Sequence, residues 1–202
     1  MPEANTGLKA AEVLEFWFGN EPDEPLLHAE RWFKRDEEFD AEIQRRFGAA
    51  FVAAAAGKLN HWRNQAESAL ALIILLDQFS RNLHRESPSA FAQDGAALNL
   101  CIAGLEDGFD LQLPPIQRAF FYMPLMHSES LEHQRLSVEK FEALSLAAPA
   151  ELRTALQSNH RFALEHMELI ERFGRFPHRN PVLGRASTPE EIKYLESPDA
   201  GF

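Results

Sequence analysis

Apolar residues recur along this chain at the three- and four-residue spacing that gathers them on one side of a helix. Phe39, Ile43, Phe47 and Phe51 do so within a helix predicted over 36–56, which Gly57 ends. The same spacing predicts helices over 8–18, 65–83, 88–106, 115–126, 131–146 and 149–173. Asn5 or Thr6 would cap the first helix and Gly19 would stop it. Pro88, Pro114-Pro115 and Pro149 open later helices, while Asp107-Gly108 and Gly174 close two of them. Ser187-Thr188-Pro189-Glu190-Glu191 begins a short eighth helix, with a hydroxyl cap and acids at the positive end of the dipole. Glu21 to Pro25 reads as an acidic turn-rich loop. The other connections are mostly short, so neighbouring helices are expected to pack as antiparallel hairpins. No repeat of about 34 residues is written in the sequence.

Composition supports helices throughout. Ala and Leu number 54, whereas Val, Ile and Thr number 14, so a sheet would lack its usual residues. The 202 residues suit one all-α domain over 1–202, of about eight helices. The formal net charge of -11 argues against nucleic acid and against an anionic membrane surface. The longest apolar run, Ala69 to Leu76, is too short for a membrane span. The start, Met1-Pro2-Glu3-Ala4, does not read as a secretory leader. The single cysteine, Cys101, fits a reducing compartment, so the expected location is cytoplasmic.

Four places break the local rules. The third helix is apolar nearly all round, yet its end carries Asp77, Gln78, Arg81 and Asn82. Asp77 and Arg81 share a face, and a buried charge there needs a partner. In the fifth helix Pro124 interrupts the apolar stretch 120–126, which predicts a kink or stop and a carbonyl left without its N–H at Phe120. His127-Ser128-Glu129 follows at once; Ser128 would cap the next helix, but that leaves His127 unexplained. His166 falls in or beside the apolar stripe of the seventh helix. Then Arg172, Arg175, His178, Arg179 and Arg185 crowd a short stretch of an otherwise acidic chain, around Phe176-Pro177 and Asn180.

The blocks Val13-Leu14-Glu15-Phe16-Trp17-Phe18-Gly19, Leu76-Asp77-Gln78-Phe79-Ser80-Arg81-Asn82, Tyr122-Met123-Pro124-Leu125-Met126-His127-Ser128-Glu129 and 172–180, followed by 182–191, resemble the domain-of-unknown-function 924 family. The resemblance covers almost the whole chain in order. It implies an all-helical, tetratricopeptide-like fold and implies no activity. Two positions depart from the family pattern: Ser80 stands where proline is usual, and Glu86 where glycine is usual.

Three functions follow from the residues. The first is a small-molecule site in which Asp77, Arg81, Asn82, Arg175, His178, Arg179 and Asn180 bind a small anionic ligand, because arginine grips such groups with paired bonds. His127, His166 and Glu129 would supply acid or base chemistry there. No nucleophile elbow or phosphate loop names a reaction, the spacing of His127, Glu129, His166 and His178 is not diagnostic of a metal, and no cofactor can be read. The second is an interaction module holding a peptide or protein partner in a concave helical face. The third is a structural latch, in which the same polar groups saturate one another.

Overall fold

The computed structural model describes residues 8–21 and 23–197; the Asn5 or Thr6 cap lies outside them. Among the described residues there are eleven α-helices and no strand. The first, α1 (Ala10–Phe18), ends at Gly19, whose φ of 87° is the left-handed conformation glycine tolerates. A single turn, α2 (Ala29–Trp32), interrupts the acidic loop region and was not legible in the pattern. The next helix, α3 (Glu37–Ala55), starts where Asp36 accepts hydrogen bonds from the N–H groups of Glu38 and Phe39, at 3.0 and 3.1 Å.

The third predicted helix is three pieces on one axis. They are α4 (Ala66–Ile73), a π-helical turn over Ile74–Phe79, and α5 (Ser80–Leu83). Beyond it, Glu86 has a φ of 59°, in the left-handed region that a non-glycine residue seldom adopts. A 3-10 turn (Pro88–Phe91) then leads into α6 (Asp94–Glu106). Three longer helices follow: α7 (Pro115–Met126), α8 (Leu131–Leu146) and α9 (Arg153–Phe173), the last ended by Gly174. Pro124 neither stops nor shortens α7, which continues to Met126. It lies so near the helix end that little of the hydrogen-bond ladder is lost. After a 3-10 turn (Pro177–Arg179) come α10 (Asn180–Leu183) and α11 (Pro189–Leu195). The latter is held by a reciprocal capping box between Thr188 and Glu191.

Helices α7, α8 and α9 form consecutive hairpins, and α4 lies between α1, α6 and α7. That central position explains its all-round apolar sequence: Leu70, Ile73, Ile74 and Leu75 are wholly buried. Phe16, Trp17, Phe47, Phe79 and Phe120 pack around its end in tilted and edge-on pairs. The indole N–H of Trp32 donates to the carbonyl of Trp17 at 2.9 Å. Trp17, Trp32 and Trp62 are all buried. Cys101 on α6 is also wholly buried, and burial pushes its thiol pKa upward.

Candidate functional site

Asp77 falls within the π-helical turn, a wider coil than the α-helix on either side, among apolar residues that are all buried. Asp77 is completely buried. It is met by three partners. Nδ1 of His127 lies 2.7 Å from Oδ1, Nε2 of Gln78 donates to Oδ2 at 2.6 Å, and Nη2 of Arg81 is 3.4 Å from Oδ1. Burial works against ionisation, but the Arg81 charge and the hydrogen bonds donated by His127 and Gln78 outweigh it and hold the carboxyl well below its usual range.

His127 sits at the C-terminus of α7. Burial and the Arg81 charge lower its pKa, against the pull of Asp77, so the ring is neutral at physiological pH. With Nδ1–H facing the carboxylate, Nε2 is the basic nitrogen; it makes no hydrogen bond among the described residues. This is the arrangement by which a carboxylate fixes a histidine tautomer.

Charge is balanced on the other side. Arg81 donates to both carboxylate oxygens of Asp94, at 2.9 and 3.3 Å, and to the carbonyl of Ala90. Arg179 donates to the same Asp94 at 3.2 Å and to the carbonyl of His127 at 3.0 Å. Its guanidinium lies over the rings of Phe91 and Phe176, 4.7 and 4.5 Å from their centroids. Burial, assisted by Arg81, lowers its pKa to about 10, so it remains a cation. Two arginines therefore face two carboxylates.

Two further imidazoles complete the cluster. The His166 ring is 6.4 Å from that of His127, and its Nδ1–H donates to the carbonyl of Phe162 at 2.7 Å. Burial first, then His127, drops its pKa to about 3. Burial and Arg179 drop that of His178 to about 4. Phe176 packs against both rings.

Other expected site residues take partners outside this cluster. Asn82 faces α3, where it donates to Asp40 beside Arg85, which also pairs with Asp40. Glu129 accepts two bonds from Arg185, at 2.8 and 2.9 Å, and one from the N–H of Phe176 at 2.8 Å. Its pKa is lowered because these bonds overcome partial burial. Arg175 turns away to a bidentate pair with the buried Glu191, and Asn180 donates to Ser187. Arg175, with help from the Thr188 N–H, lowers the Glu191 pKa to about 2. Ser128 does not cap α8 directly; its hydroxyl accepts from the N–H of Ser130 and pairs with His133. The sequence does not single out Asp94, because an acid in the first turn of a helix is already explained by the dipole.

His127 lines two hollows. One, of about 380 Å³, is bounded by Phe91, Asp94, Pro124, Glu129 and Arg179. The other, of about 220 Å³, is bounded by Phe33, Met123, Met126, Asn159, Phe162 and His166. Among the described residues no group of three or more His, Cys, Asp or Glu is placed to hold a metal ion. No helix among them is long and apolar enough to cross a membrane.

Fold and cluster together define a class: an all-helical protein whose hairpins enclose a charge-balanced group of histidines, aspartates and arginines. The chain belongs to the family of bacterial proteins of unknown function, DUF924, whose model matches residues 13–199. It is similar to a solved structure, a protein of unknown function, ATU0120, from Agrobacterium tumefaciens. The two are 37% identical with a TM-score of 0.79, over 93% of this chain and 96% of that one. No curated protein matches.

Proposed function

We propose that the protein binds a small, largely uncharged molecule in the hollow between His127 and His166, with the Asp77–His127 pair as proton acceptor. The observation that carries this reading is the unpartnered Nε2 of a neutral imidazole whose other nitrogen is anchored to a buried carboxylate. A proton taken from a bound O–H, or from a water, would move to Nε2, and the Asp77 carboxylate would stabilise the resulting imidazolium. His166, oriented by the Phe162 carbonyl, would line the opposite wall. An anionic ligand, expected from the arginine content, has less support: Arg81 and Arg179 already face Asp77 and Asp94.

The same saturation supports a second reading, a purely structural latch. A protein-interaction role in a tetratricopeptide-like array has support only from scattered exposed apolar residues such as Leu27 and Phe33. The test pairs a thermal-shift screen of uncharged metabolites with NMR of 15N-labelled imidazoles. The expected result is a bare Nε2 on His127 whose signal moves when a hit is added. A screen in which no compound moves that signal, together with large stability losses in His127→Ala, would establish the latch instead.

A further inference from the structure

The inner hollow does not end at Phe162. A second hollow of about 220 Å³ adjoins it, and Phe33, Asn159 and Phe162 line both. The walls follow from helix geometry. On α9, Ala155, Asn159, Phe162 and His166 recur at the spacing of one face. On α7, Ile116, Phe120, Met123 and His127 do the same. From Ala155 to His166, and from Ile116 to His127, each wall rises about 16 Å. The two hollows therefore adjoin along α7 and α9, sharing Phe33, Asn159 and Phe162, with the imidazoles lining only the inner one.

Its chemistry departs from that of the chain. Lys, Arg, Asp and Glu make up 25% of the sequence, yet none of them lines either hollow. The polar groups along the groove are Ser158, Asn159 and the two histidines. Phe33 stands 69% exposed at the groove, stacked on Phe120 with the rings 3° from parallel. Met123 and Met126 supply adaptable surface near the imidazoles. An uncharged, mostly apolar trough with imidazoles lining one of its two hollows suits a molecule that is apolar along most of its length and polar at one end.

We infer that the ligand is an uncharged amphiphile: an unbranched hydrocarbon tail lies along α7 and α9, and a hydrogen-bond-donating head meets Nε2 of His127. This inference rests on the small-molecule reading of the His127 site and specifies its ligand class. The tail is recognised by burial alone, so affinity rises with length; the head is recognised by a single bond, so its contribution is independent of length.

The experiment is calorimetric titration of the intact protein with straight-chain 1-alkanols, from butanol to dodecanol. Each added methylene is expected to tighten binding about fourfold until the groove is filled. Ala155→Trp plugs the outer end, so the gain should stop at a shorter chain while the short alkanols bind unchanged. His127→Gln should weaken every alkanol by the same factor without altering the gain per methylene. Affinity independent of length, or an identical series in Ala155→Trp, overturns the groove. Length dependence that Ala155→Trp truncates but His127→Gln leaves untouched supports the groove and overturns the role given to His127. Phe33→Ser, at an exposed position, gives a second reading of the groove if Ala155→Trp fails to fold: it should lower the affinity of the long alkanols, and no loss overturns the inference.

Discussion

Mild acidification should weaken this fold through its buried imidazoles, and His166 offers the cleanest measure. It is 8% exposed, and its pKa falls from 6.5 to about 3 on folding. Between those values the unfolded chain binds a proton that the folded chain refuses. Stability therefore falls as pH drops below 6.5 and stops falling, for this group, near 3. At about pH 5 the loss from His166 alone is roughly 2 kcal/mol. Unfolded carboxylates titrate near pH 4, so the interval from about 6.5 down to 5 isolates the histidines. The assay is urea unfolding followed by circular dichroism at several pH values, comparing the parent with His166→Phe. Phenylalanine keeps the packing against Phe176 and removes the titration. The slope of stability against pH should drop by about 1.4 kcal/mol per pH unit in the variant. Equal slopes in parent and variant would refute the claim that His166 is held neutral by its surroundings.

Other consequences can be checked alongside. Asp77→Ala strips Arg81 and His127 of their buried partner and should cost about 3–5 kcal/mol in the same unfolding assay. Glu129→Gln weakens the pair of hydrogen bonds donated by Arg185 and should speed amide exchange across 174–185 while α4 and α7 exchange as before; uniform change would contradict a local latch. Gly104→Ala places a Cβ 2.5 Å from the Cζ of Phe121, so α6 and α7 must part, and about 1–3 kcal/mol of stability should be lost.

Helix ends were easy to read because they depend on neighbours in sequence. Asp36, Gly57, Gly174 and Thr188 each act within one turn of themselves. Asp77 and His166 stand out as polar side chains within apolar stretches, and His127 stands out because neither Pro124 nor a Ser128 cap explains it. Pairings across the fold were not legible. Nothing local joins Arg179 to Asp94, 85 residues away, or separates it from Arg175, which serves Glu191 instead. The π-helical turn left no mark either. It arises where α4 and α5 must each satisfy different neighbours, and no residue type encodes that offset.

The solitary thiol of Cys101 gives the molecule a reporter of its own breathing. A labelling reagent reaches that sulfur only when α6 swings away from α4 and α7, because the closed state offers it no surface. The labelling rate, followed by mass spectrometry, therefore counts excursions of the molecule's centre without any added probe.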